Sequence, residues 1–251
     1  MFHSYSELAT EVYDLDKPLG HTFGDIEYYK KRLKSVSGHV LEPGTGSGRV
    51  LIPLLEAGFK VEGLDHSVHM LQSCRGRCEE RGIKPTLYQM EMHHFKLPKK
   101  YEAIILPAGT FLLIEDRKES IQALKNFYDH LETGGKLILD LYLQNELSPN
   151  TVTTKSWNTK AGELITLETK MVEVDFLNQY SVSFLKYEKW KQGELMKSEL
   201  QRLPQRWYGI KEFKLILERI GFSGITLSAD YQYEKEPSHH DQTFTFEAIK
   251  G

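Results

Sequence analysis

Val40-Leu41-Glu42-Pro43-Gly44-Thr45-Gly46-Ser47-Gly48-Arg49 decides the fold, because a second apolar run, Phe59 to Leu64, follows it and ends in Asp65 seventeen residues past Gly48. His39 to Leu41 reads as the end of a buried strand. The three glycines let the backbone turn sharply, present its N–H groups and approach a ligand closely. A helix expected from Arg49 to Ala57 points its positive N-terminal end at that ligand. Asp65 then offers a carboxylate to the 2′ and 3′ hydroxyls of a ribose. Together these parts describe a nucleoside site.

The spacing decides which nucleoside. A dinucleotide fold uses Gly-x-Gly-x-x-Gly and faces a pyrophosphate with its helix end. Here the glycines fall at 44, 46 and 48, preceded by Glu42, whose carboxylate repels a pyrophosphate and suits a ligand carrying an ammonium. In these residues the chain resembles the class I S-adenosylmethionine-dependent methyltransferases, whose first motif is Glu/Asp-x-Gly-x-Gly-x-Gly. The resemblance covers Gly38 to Tyr142 by motif and Arg206 to the C-terminus by pattern. It implies an α/β fold: a seven-stranded, mostly parallel, doubly wound (Rossmann-like) sheet with its last strand antiparallel. It also implies S-adenosyl-L-methionine as cofactor.

The strand and helix alternation supports this. Ser67 caps an expected helix to about Arg81, Thr86 to Met90 and Ala103 to Leu106 read as strands, and a helix spans about Asp116 to Leu131. Gly134-Gly135 is expected to stop that helix before a fifth strand, Lys136 to Tyr142. Between Thr151 and Leu203 the pattern changes to four runs rich in Thr, Val, Tyr, Phe and Trp, separated by turn signals. This predicts an inserted antiparallel β subdomain over 147–203, with 1–146 and 204–251 forming the core and 1–35 a lid. Such an insertion resembles the small-molecule branch of the family, notably sugar N,N-dimethyltransferases and glycine N-methyltransferase-like enzymes. There it covers the acceptor pocket or makes a dimer contact. On that reading it governs acceptor choice more than donor binding, because remote elements contribute nearly independently. A last helix, Gly209 to Ile220, and two strands near Ile225 to Tyr233 and Gln242 to Lys250 complete the pattern.

The formal net charge of −3 and pI near 6.4 give no electrostatic footprint for nucleic acid. No uninterrupted apolar stretch suffices for a membrane span, and no export signal is read at the N-terminus, so a cytoplasmic location is expected. Cys74 and Cys78 read as buried thiols. His93-His94 would point to opposite sides of an extended chain, so no metal site is expected there or at His239-His240. The partner expected is a small-molecule acceptor, with the protein a monomer or homodimer.

Carried over position by position, the resemblance assigns Glu42 and the backbone of Gly44 to the methionine moiety and Asp65 to the ribose. Glu91-Met92 falls where the family places its adenine contacts, with His66 beside the adenine edge. Gly46 and Gly48 complete the loop. Pro107, in the turn Leu106 to Thr110, falls where backbone surrounds the transferring methyl. Tyr13 is the preferred aromatic contact from an N-terminal segment that also holds Tyr5, Tyr28 and Tyr29. Tyr142 and Arg206 are candidates for acceptor contact, and His21, Tyr142 and Tyr208 for a general base. As a strand-end loop residue, Asp65 is expected to be dispensable for folding. The readings left open are a tRNA or protein methyltransferase and a non-catalytic S-adenosylmethionine-binding protein.

Overall fold

The computed structural model describes residues 5–144 and 147–251. Residues 1–4 of the expected lid and the expected core-insertion junction at 146 lie outside the described residues. The chain opens with α1 (Glu7–Asp16) and α2 (Asp25–Arg32), then alternates β1 (His39–Pro43), α3 (Leu51–Glu56), β2 (Lys60–Asp65), α4 (Val68–Glu79), β3 (Thr86–Gln89) and β4 (Tyr101–Leu106). After α5 (Arg117–His130) and β5 (Leu131–Leu141) come four inserted strands, β6 (Val152–Asn158), β7 (Leu164–Asp175), β8 (Tyr180–Lys191) and β9 (Glu194–Arg206). The chain then returns with α6 (Ile210–Ile220), β10 (Phe222–Ala229) and β11 (Phe244–Lys250).

The main sheet runs β10-β11-β5-β4-β1-β2-β3. β1 is parallel to β2 and β4, and β4 to β5, whereas β11 is antiparallel to both β5 and β10. Each face of the sheet has its own core. Phe127 of α5 and Phe213 and Leu217 of α6 pack on one face, while Tyr29 of α2, Leu51 of α3 and Cys74 and Cys78 of α4 pack on the other. Strand order reverses at β1, with β2 on one side and β4 on the other, so the carboxyl ends of these strands open a crevice. The motifs read from the sequence sit there.

Several boundaries differ from expectation, among them β10, which runs Phe222–Ala229 where the sequence predicts a strand near Ile225 to Tyr233. α3 begins at Leu51, because Gly48 N–H first closes a turn on Thr45 O at 3.0 Å. α5 ends at His130 and β5 starts at Leu131, so Gly134 and Gly135 lie within the entry to the strand. A side chain on Gly135 would come within 2.9 Å of Glu132 O, and there the glycine permits a close backbone approach. β9 continues past Leu203 to Arg206.

The insertion is a four-stranded antiparallel meander in the order β6-β7-β8-β9. Its apolar face does not turn to the main sheet alone. Ile165, Leu185 and Tyr187 form a separate core with Leu8, Ala9 and Val12 of α1. Ionic contacts fasten the same helix: Lys189 to Glu11 at 2.8 Å, Lys197 to Glu7 at 2.6 Å, and Glu199 accepting from Leu8 N–H at 3.0 Å. On its other side Asp14 accepts from Ser73 at 2.5 Å and pairs with Arg77 at 2.8 Å, both on α4. α1 therefore bridges the core and the insertion. No described helix is long and apolar enough to cross a membrane.

Candidate functional site

A cavity of about 570 Å³ opens at the carboxyl ends of the parallel strands. Its floor is the turn after β1, where Gly44, Gly46 and Gly48 adopt φ of +74°, +55° and +85°. Those values select glycine. Crowding adds to this at two of them: a Cβ on Gly44 would sit 2.2 Å from Thr110 Cγ2, and one on Gly48 2.7 Å from Cys74 Sγ. The N–H groups are not presented to a ligand, however. Gly44 and Thr45 donate to Leu64 O at 2.6 and 3.0 Å, Gly46 donates to Asp65 Oδ2 at 2.9 Å, and Gly48 turns back on Thr45. The loop is bound to β2, and what it offers a ligand is close approach.

Asp65 lines the cavity and is nearly buried. Besides the Gly46 bond, its Oδ1 accepts from Ser67 N–H at 2.8 Å. Burial raises its carboxyl above the ordinary range, opposed by the Ser67 and Gly46 N–H groups and by His66. The same carboxylate thus holds two turns together, which departs from the expectation that the fold is indifferent to it. His66, Glu91, Met92 and Tyr13 also line the cavity.

Glu42 lies beneath the loop, not on the cavity wall. It is 3% exposed, and its Oε2 and the nearby Thr45 Oγ1 have no hydrogen-bond partner in the protein. Burial pushes its carboxyl up to about 8 against the pull of Arg49. An orphaned acidic oxygen under a glycine turn fits a ligand ammonium. Arg49, unassigned from the sequence, is a wall residue, and Asp25 neutralises it through bonds of 3.1 and 2.5 Å. Burial opposes ionisation of Asp25, but the Arg49 bonds and charge hold its carboxyl below the usual range.

The turn after β4 forms the opposite wall. Pro107 is not on the surface of the cavity; Ala108, Gly109 and Thr110 are. Gly109 has φ +70°, and a Cβ there would meet the Tyr142 ring at 2.2 Å. Ala108 is held at φ +54° by its N–H donating to Asp140 Oδ2 at 2.8 Å. Asp140 is fully buried, accepts from Tyr231 and Thr245 hydroxyls at 3.0 and 2.8 Å, and is pushed up to about 6 by burial in spite of these bonds. It was missed, although the lone acid in the apolar run Leu137-Ile138-Leu139-Asp140-Leu141 is a legible signal.

Tyr142 lines the cavity and accepts from Gln205 Nε2 at 2.8 Å. With Leu203 and Pro204, Gln205 brings β9 into the wall. Burial raises the Tyr142 phenol above its ordinary value against the pull of the Gln205 bond, and so favours its protonated form. The other base candidates fall away by position. Tyr208 is buried in the core against Phe111 and Phe213 and bonds Ser120 at 2.5 Å. His21 is outside the cavity wall, with its ring edge-on to Phe23 at 4.8 Å. Arg206 is structural: its guanidinium donates to Glu115 O at 2.9 and 2.6 Å and to Asn178 O at 2.6 Å, tying β9 to the core. Tyr28 and Tyr29 are core residues, leaving Tyr5 and Tyr13 as the aromatic wall, edge to face at 6.2 Å.

The rim is acidic. Glu91 and Glu119 flank His93, at 3.3 and 3.9 Å, while Glu115 is neutralised by Arg202 at 2.5 Å. His93 and His94 lie in a turn and not on an extended chain, so their rings share a side at 4.4 Å and, with Glu119, place three donor atoms within 4.8 Å of one another.

The family model described as "Methyltransferase domain" matches residues 40–135. A glycine/sarcosine N-methyltransferase of Aphanothece halophytica is 26% identical over 222 residues, which cover 86% of this chain and 77% of the relative. Among solved structures, an S-adenosylmethionine-dependent methyltransferase from Clostridium acetobutylicum superposes with a TM-score of 0.76 at 16% identity, covering 96% of this chain and 97% of that one. The sugar N-methyltransferase KedS8 from Streptoalloteichus gives 0.74 at 16% identity, covering 100% and 97%.

Proposed function

We propose, since the chain belongs to the class I S-adenosylmethionine-dependent methyltransferases, that it methylates an amine nitrogen of a small molecule. The enzyme's donor is S-adenosylmethionine, which supplies a methyl group on a sulfonium and a leaving group that needs no protonation. The observation that carries the acceptor reading is that one continuous cavity holds Asp65 and the glycine turn together with Tyr142 and Leu203–Gln205. Asp65 would hold the ribose, Glu42 the ammonium and Arg49 the carboxylate of the methionine moiety. Glu91 and Met92 would border the adenine.

For the transfer this chain positions and excludes water. Holding reactants in line supplies roughly 7–11 kcal/mol of such a barrier, and it needs no side chain that reacts. The turn at Ala108 to Thr110, fixed from below by Asp140, and the Tyr142 ring form rigid walls. Leu203 and Pro204 supply apolar cover. Glu119 attracts a cationic amine to the mouth, where the amine gives its proton to solvent before its free form attacks the methyl group. Two relatives are named as N-methyltransferases, of glycine/sarcosine and of sugars, which supports nitrogen.

The test is formation of S-adenosylhomocysteine with a panel of small primary and secondary amines and their alcohol counterparts. Turnover with amines is expected. Turnover confined to alcohols would overturn the nitrogen reading, and donor binding with no turnover on any acceptor would overturn the small-molecule one.

A further inference from the structure

Beside the donor cavity lies a second chamber of about 220 Å³, between α1 and the inserted sheet. The strands explain why it exists. Alternate residues of each strand face α1, and most of that face is apolar: Leu167 on β7, Leu185 on β8, Leu203 on β9. Trp157 and Tyr187 add aromatic walls. Into this surface β9 places Gln201, whose register partner is Leu185.

Gln201 is 1% exposed, and neither its Nε2 nor its Oε1 has a hydrogen-bond partner in the protein. A buried primary amide with both ends unmet costs stability, and its neighbours Leu185 across the sheet and Leu203 along the strand offer it no hydrogen-bond partner. An amide offers a donor and an acceptor side by side. Its complement is a planar group presenting an acceptor and a donor in the same spacing, the N–H and C=O of a carboxamide or lactam. Flat aromatic walls select a flat partner.

We infer that this chamber is a binding subsite for a planar, amide-bearing group, read by Gln201 through paired hydrogen bonds. Tyr5, Tyr13, Lys17 and Leu203 line both this chamber and the donor cavity, so the two share a wall. On the methyltransferase reading, on which this assignment of role rests, the group is the part of the acceptor remote from the methylated nitrogen. The acceptor class is then an amine that also carries a carboxamide or lactam ring.

The probe is benzamide, with acetophenone as a control of the same shape that keeps the C=O and lacks the N–H. Binding is measured by ligand-detected saturation-transfer NMR on the full chain saturated with S-adenosylhomocysteine, which fills the donor part of the larger cavity, while the Gln201→Leu comparison below assigns any preference to the chamber. Benzamide is expected to bind about tenfold more tightly than acetophenone, the discrimination one unmet buried hydrogen bond gives. Gln201→Leu should abolish that preference while leaving S-adenosylhomocysteine affinity unchanged, which also reports that the variant folds. Equal binding of the two probes to the unaltered protein, binding of neither, or a preference that survives in Gln201→Leu would overturn the subsite. Failure of the unaltered protein to bind S-adenosylhomocysteine at all would strike the methyltransferase reading instead.

Discussion

Asp65 shows how one residue can hold the backbone and face a cavity at once. Its carboxylate accepts from Gly46 and Ser67 N–H groups and faces the cavity. Asp65→Ala should weaken S-adenosylhomocysteine by about 2–4 kcal/mol, from two lost charge-assisted bonds, and also lower the thermal midpoint of the ligand-free protein. Calorimetry and a melting curve check the two effects separately, and an unchanged midpoint would show that the turns do not depend on it. Glu42 predicts a pH effect. Its carboxyl, pushed up to about 8 from an ordinary 4.5, keeps a proton in the fold that the unfolded chain gives up. Stability without ligand is therefore fullest below the unfolded value and is lost as pH rises through the folded one. The ligand-free midpoint should fall from about pH 5 to 8, and Glu42→Gln should flatten that slope. An ammonium settling beside Glu42 would expel its proton, so S-adenosylhomocysteine binding near neutral pH should release protons in calorimetry across buffers of different ionisation heat. Equal heats in every buffer would remove Glu42 from the ligand. The glycine spacing and Asp65 were legible because backbone sterics leave few residues able to make that turn. The bonds that consume the loop's N–H groups were not, since they depend on where β2 lies beside it.

At the scale of elements, the alternation of strands and helices and the four hairpin-spaced runs could be read from periodicity, because each pattern repeats within a few residues. The start of β5 could not, because Gly134-Gly135 is as natural at a helix stop as at a strand entry. Nor could the relation between α1 and the insertion. Independence of the two would leave donor affinity within about one kcal/mol when 147–203 is replaced by a short linker. The structure argues otherwise. Leu8, Ala9 and Val12 would lose their cover, and α1 carries Tyr13 to the wall of the cavity proposed for the donor. Donor affinity should therefore fall well beyond that margin in the truncated protein, measured by calorimetry after circular dichroism has shown the main sheet to be folded. Unchanged affinity would mean that α1 holds its place on α4 alone, through Asp14, Ser73 and Arg77.

Across the whole molecule, the site is assembled from two bodies: a parallel sheet whose strand ends bring the glycine turn, Asp65 and Tyr142 together, and a meander that adds Leu203 to Gln205. α1 joins them, and its partners are far away along the chain. Ser6 bonds Glu199 across 193 residues and Leu8 bonds the same carboxylate across 191. Contacts of such separation are slow to form, because the intervening chain must first be ordered. Besides its contact with α4, α1 lands on alternating residues of β7, β8 and β9, a surface that does not exist until those strands have paired. Refolding from denaturant should therefore show strand ellipticity recovering before competence to bind S-adenosylhomocysteine, with the lag shortened by variants that strengthen α1 against the meander. Simultaneous recovery would refute this order. The helix synthesised before every strand it touches is thus expected to finish docking only after they have paired, and S-adenosylhomocysteine present during refolding should shorten that closing step, because α1 brings Tyr13 to the cavity wall.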